Sequence, residues 1–201
     1  MFKSKSVFAS VAVASCVLAS SAFAADPMCA SADQKAKVTE HLKTSNPAIV
    51  NAVTARQLQL PEEVVASALP DTQAVGVKGT AFAQVWETLP AWGPTFVLVM
   101  KGGHVFELET AVVKGVPSTK SNFYNLDRGA PLSGHLRGDL ITSIYAVDAK
   151  SRGENMRSVI FYGPTGESMF AVVVRDESPQ ALKDAFAKTV AFMKTLPKAC
   201  S

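Results

Sequence analysis

Cysteine and histidine are scarce here, with three of each among 201 residues. No C-x-x-C pair is present, so a redox dithiol or a thiolate zinc site has no footing. No H-E-x-x-H, G-x-S-x-G or P-loop motif appears, and no Asp/Glu pair stands out as an acid/base couple, so hydrolase and nucleotide-enzyme readings start weakly. Gly102-Gly103 is too short to cradle a phosphate and reads as a turn. Charge of one sign is missing too. Setting aside Lys3 and Lys5, the 20 basic residues come within one of the 17 acidic ones, and no four basic residues stand in a row. Such a chain carries no electrostatic footprint for nucleic acid or an anionic membrane. Beyond the first two dozen residues, apolar runs such as Thr95–Met100 and Ala171–Val174 are strand-length. They are far short of the about 20 residues a membrane-spanning helix needs, so no membrane insertion of the remaining chain is expected.

The N-terminus has its own pattern. Lys3 and Lys5 precede the apolar stretch Val7–Leu18, and Ala22-Phe23-Ala24 offers small residues where a signal peptidase reads. This layout predicts a Sec signal peptide over residues 1–24, cleaved after Ala24, and a periplasmic or secreted protein. The remaining chain of about 177 residues fits one domain, 25–201. Its two cysteines, Cys29 and Cys200, lie at opposite ends, and neither has a ligand-spaced neighbour. A disulfide is the expectation, worth about 5 kcal/mol in the chain-entropy account of so long a loop.

Along the chain, Ser31 caps a helix over Ala32–Lys43, Asn46-Pro47 starts a second, and Pro61-Glu62-Glu63 opens a third. Gly76 to Gly79 reads as a turn, followed by a helix over Ala81–Leu89. The period then changes to that of strands: Thr95–Met100, the Lys101-Gly102-Gly103 turn, and His104–Glu109. Asn122–Leu126, a long strand over Gly134–Asp148, and the pair Arg157–Tyr162 and Glu167–Arg175 follow. A last helix after Ser178-Pro179 carries an apolar stripe. Helices, then strands, then one helix is an α+β order with a mostly antiparallel sheet.

Strand alternation over Gly134–Asp148 sets His135, Arg137, Asp139, Ile141, Ser143 and Tyr145 on one side. An imidazole can bind iron and a guanidinium can fork onto a carboxylate, which are the two functions haem requires with its iron and two propionates. A structural His–Asp or Arg–Asp network on a solvated face explains the same residues equally well.

Five segments in order resemble the HutX/ChuX haem-carrier family: Leu60-Pro61-Glu62-Glu63-Val64-Val65, Trp92-Gly93-Pro94-Thr95-Phe96-Val97, Asn122-Phe123-Tyr124-Asn125-Leu126, Leu132-Ser133-Gly134-His135-Leu136-Arg137, and Gly163-Pro164-Thr165-Gly166-Glu167. The similarity runs from about Asn46 to Lys194, with Ser-Gly-His-Leu-Arg its sharpest piece. It implies a small α+β carrier, half of a ChuS/HemS-type fold, that holds haem b as cargo and pairs as a homodimer. His135 matches the family's haem-linked histidine and is the expected axial ligand; Arg137 is a propionate partner by strand geometry. Val99 stands where the family has a second histidine, leaving His104 across the turn, or Tyr124, as further candidates. Phe96, Phe106 and Phe123 are candidate contacts for the macrocycle. The signal peptide and the two cysteines depart from the family's cytosolic members. A haem-degrading enzyme and a non-haem interaction module are the alternative readings.

Overall fold

The computed structural model describes residues 25–44, 51–151 and 154–200. The expected signal peptide and the helix start at Asn46-Pro47 lie outside the described residues. Three short helices come first: α1 (Ala32–Leu42), α2 (Ala52–Leu58) and α3 (Glu62–Ala68). Ser31 and Gln34 close a capping box on α1, the serine Oγ accepting from the Gln34 N–H and the Gln34 side chain accepting from the Ser31 N–H. Two sheets follow, with α4 (Phe82–Trp86) between β1 and β2 and α5 (Gln180–Met193) after the last strand.

The larger sheet has the order β1-β7-β8-β9-β2-β3, every neighbour antiparallel. Its strands are β1 (Ala74–Lys78), β2 (Pro94–Lys101), β3 (His104–Ala111), β7 (Ser143–Ser151), β8 (Glu154–Tyr162) and β9 (Ser168–Val174). The smaller sheet is β4 (Gly115–Pro117), β5 (Tyr124–Leu126) and β6 (His135–Leu136), also antiparallel. This is an α+β fold with an antiparallel sheet and a C-terminal helix.

β9 after Ser168 and the second half of β8, Val159–Tyr162, are apolar because both faces of the sheet are covered there. One face, with Val97, Ile144, Val159, Phe161 and Val172, packs against α4, α5 and the small sheet. The other, with Leu98, Tyr145, Ile160, Tyr162 and Val173, packs against Ala66 and Leu69. Along α5, Leu182, Phe186, Thr189 and Met193 are buried, a helical stripe. Among the described residues, no helix is long and apolar enough to cross a membrane.

Three local expectations give way to the tertiary structure. Gly76 lies within β1 rather than in a turn, paired with Tyr145. A Cβ there would stand 2.3 Å from the Tyr145 ring, so this glycine serves close approach. The helix expected over Ala81–Leu89 is a single α segment, Phe82–Trp86, between two 3-10 turns. The long strand over Gly134–Asp148 is broken in two. After β6, Gly138–Leu140 makes a 3-10 turn that carries the chain from the small sheet to the large one. Gly138 permits it, since a Cβ there would meet the Phe82 ring at 2.5 Å. The shared face reaching from His135 to Tyr145 therefore does not exist.

At the other end, a disulfide joins Cys29 to Cys200 with Cα atoms 5.7 Å apart. The C-terminal tail lies along β1, Lys78 N–H donating to the Pro197 carbonyl and Ala199 N–H to the Gly76 carbonyl. Replacing both cysteines by serine is expected to lower unfolding free energy by about 2–5 kcal/mol, read from urea unfolding of parent and variant under non-reducing conditions.

Candidate functional site

The small sheet has two unlike faces. Tyr124 and Leu126 of β5 are buried, while Asn125 between them is only partly covered. Register pairs Asn125 with His135 and Tyr124 with Leu136, so the polar pair points outward and the apolar pair inward.

On the outer face the His135 ring is exposed, and its Nδ1 lies 2.7 Å from Asn125 Oδ1. An amide oxygen only accepts, so Nδ1 is the donor here, and in the neutral imidazole Nε2 is then the nitrogen with the lone pair. The Phe123 ring, 41 % exposed, lies 5.7 Å from the imidazole between centroids. Arg137 stands 5.9 Å over the same ring. Its fork closes on Asp139, Nε donating to Oδ1 at 2.7 Å and Nη2 to Oδ2 at 2.6 Å. Asn122 Nδ2 donates to Asp139 Oδ2 at 3.2 Å. The Arg137 hydrogen bonds hold the Asp139 carboxyl below the ordinary aspartate range, and the same pair raises the guanidinium. His135, Phe123, Arg137 and Asp139 thus form one connected surface cluster. Asn125 is the member that the residue pattern alone did not single out, and its place beside Tyr124 was the available signal; the Arg137–Asp139 pair is the Arg–Asp network that pattern offered as its alternative.

Below the cluster lies a cavity of about 280 Å³ lined by Phe82, Ala83, Pro117, Asn122, Phe123 and Asp139 among others. His135 is not part of its wall. The cavity falls just under the about 300–1,000 Å³ of usual small-molecule pockets.

The other candidates lie elsewhere. Tyr124 is 4 % exposed, edge-on to Phe82 at 5.3 Å and to Trp86 at 6.3 Å. Its hydroxyl has no hydrogen-bond partner among the described residues. Burial, with Glu87 and Asp127 nearby, pushes the phenol pKa up and disfavours tyrosinate. Tyr124 and His135 occupy opposite faces of one sheet, so they do not face a common ligand. His104 opens β3 in the other sheet, paired with Lys101 and exposed. Phe96 is covered by the Arg175 guanidinium at 3.7 Å, and Phe106, 62 % exposed, lies on β3. Among the described residues no group of three or more His, Cys, Asp or Glu is arranged to hold a metal ion.

A family model described as haem utilisation ChuX/HutX matches residues 75–188, more than half of the chain. The chain belongs to the ChuX/HutX family. The matched span includes both sheets and every residue of the His135 cluster. A curated relative, the intracellular heme transport protein HutX of Vibrio cholerae, is 28 % identical over 149 residues, covering 73 % of this chain and 76 % of its own. A solved structure of the heme binding protein ChuX is 26 % identical, covers 78 % of this chain and 99 % of that one, and superposes with a TM-score of 0.67. The heme degrading enzyme ChuS of Escherichia coli O157:H7 is alike in fold alone: 17 % identity and a TM-score of 0.60, over 77 % of this chain and 47 % of ChuS. This ChuX/HutX chain thus matches about half of a ChuS-type fold.

One expectation is corrected by these relatives. A periplasmic or secreted place rested on composition in residues 1–24, and the HutX relative is named an intracellular protein. A signal read from the pattern of residues 1–24 carries less than a match over 73 % of the chain.

The Arg137–Asp139 pair yields a direct check. The Asp139 carboxyl, followed by carbon NMR against pH, is expected to titrate below the ordinary aspartate value and to move up to it in Arg137→Ala. Because the folded pKa is lowered, the pair's stabilisation is present above the ordinary aspartate pKa and is lost as pH falls through the folded one.

Proposed function

We propose that this ChuX/HutX protein binds haem b reversibly on the outer face of the small sheet, as a carrier and not a catalyst, with His135 Nε2 as an axial ligand. The single observation that carries this is the Nδ1 contact to Asn125 at 2.7 Å, which fixes the tautomer and leaves Nε2 free on an exposed ring. Metal-bound imidazoles are commonly oriented in this way by a second hydrogen bond. The residues present fit the ligand: Phe123 supplies an apolar plane beside the imidazole and also lines the adjoining cavity. Arg137 keeps its charge near the same face, though its fork is shared with Asp139 until a propionate competes for it. The named activities of the HutX and ChuX relatives, heme transport and heme binding, agree with this reading.

Hemin added to the purified protein is expected to give a Soret band of saturable intensity. His135→Ala is expected to shift that band and weaken binding by about 10–100-fold or more, and Asn125→Ala by about 10-fold. A His135→Ala spectrum and affinity equal to the parent's would remove the site. Ascorbate added under catalase is expected to leave the Soret band in place; its steady loss would make the protein a degrading enzyme.

We also infer that a second copy of the chain covers β3. This strand is the open edge of the large sheet, and Phe106 and Leu108 stand exposed on one face of it. Light scattering is expected to report twice the chain mass, and Phe106→Asp to return it to the single-chain value; a parent of single-chain mass overturns the pairing.

A further inference from the structure

A second cavity lies away from His135. It measures about 590 Å³, well inside the range of small-molecule pockets, and lies between α1, the end of α3, β1, the end of α5 and the C-terminal tail. It shares no lining residue with the smaller hollow under Phe123.

Three elements distant in sequence bring a lysine each to this one cavity: Lys35 from α1, Lys194 from the end of α5 and Lys198 from the tail. Asp71 is the one acidic side chain in the wall. None of the three ammonium groups has an ion pair or side-chain hydrogen bond among the described residues, although Lys43, Arg137, Arg157 and Arg175 all have carboxylate partners. Three cations with no partner at one mouth repel each other, and a bound anion relieves that repulsion.

The rest of the wall has different chemistry. Leu69, Ala74 and Val75 provide apolar surface, with Ala66 and Met193 fully buried behind them. The Tyr145 hydroxyl lies 3.4 Å from Cys200 Sγ. Burial raises that phenol, so it stays protonated and able to donate. The cavity therefore combines lysines from three elements with a wall of mixed apolar and polar groups. The tail that contributes Lys198 is held in place by the Cys29–Cys200 bond and by two backbone hydrogen bonds to β1.

We propose that this cavity is a second ligand site, separate from the haem face, for a monocarboxylate amphiphile whose apolar body lies against Leu69, Ala74 and Val75 and whose carboxylate meets Lys35, Lys194 and Lys198.

The test is calorimetric titration of the full chain with dodecanoate below its micelle-forming concentration. One saturable site is expected. The double variant Lys194→Glu/Lys198→Glu is expected to bind at least about tenfold more weakly, since two attractive charges become repulsive. Lys35→Glu, on a different element, is expected to weaken binding in the same direction. Lys188→Glu on the exposed side of α5 is the control for net charge and is expected to leave the affinity unchanged, as is His135→Ala. Dodecyltrimethylammonium, of equal chain length and opposite charge, is expected to give no saturable heat. The site is overturned if dodecanoate shows no saturable binding or the cation binds equally well. It is likewise overturned if both lysine variants bind as the parent does, or if His135→Ala abolishes dodecanoate binding.

Discussion

Tyr124 meets Phe82 edge-on at 5.3 Å, Phe82 meets Phe161 at 5.7 Å, and Phe161 stacks on Phe170 at 4.4 Å. Through this chain of rings the small sheet is fastened to the large one. The three strands β4 to β6 are too short to be stable alone; their inner face is satisfied only because Tyr124, Leu126 and Leu136 rest on this cluster. Trp86 contributes from α4, with its indole N–H donating to the Val113 carbonyl at 3.0 Å and so fixing the segment that leads into β4. Aromatic contacts of this kind add about 0.5–1.5 kcal/mol each beyond the area they bury.

The orientation of the candidate site is a consequence. Once Tyr124 is committed to the core, side-chain alternation forces Asn125 outward, and antiparallel pairing brings His135 out beside it. The imidazole is then held by its neighbour's amide and not by any deep pocket. The Gly138–Leu140 turn follows from the same packing, because the backbone passes directly against Phe82 on its way to β7. Arg137, at the start of that turn, closes on Asp139 across it. The cluster is thereby tied together by side-chain contacts without being enclosed. The same rings exclude Tyr124 as a partner of His135.

Much of the fold was legible in the residues. The Lys101-Gly102-Gly103 turn, the Gly163-Pro164-Thr165-Gly166 turn and the strands beside them follow from local chemistry, and so does the Ser31 cap. Other positions misled for one reason: a glycine has the same letter whether it turns the chain or admits a ring. Gly76 admits Tyr145 and stays in a strand; Gly138 admits Phe82 and ends one. Of the site, His135 and Arg137 were visible from spacing and from the family resemblance. Asn125 as the partner of His135 was not, because strand register between β5 and β6 is a tertiary fact.

Residue order was enough for the α+β class, the broad course of helices, then strands, then one helix, and the ChuX/HutX family, because turn chemistry, hydropathy period and ordered motifs are local or collinear properties. The tertiary structure alone decided which face each side chain took. It parted Tyr124 from His135, set Asn125 beside His135, and gathered Lys35, Lys194 and Lys198 around one cavity. Such choices depend on what packs against each face, and no period along the chain encodes the neighbour across it.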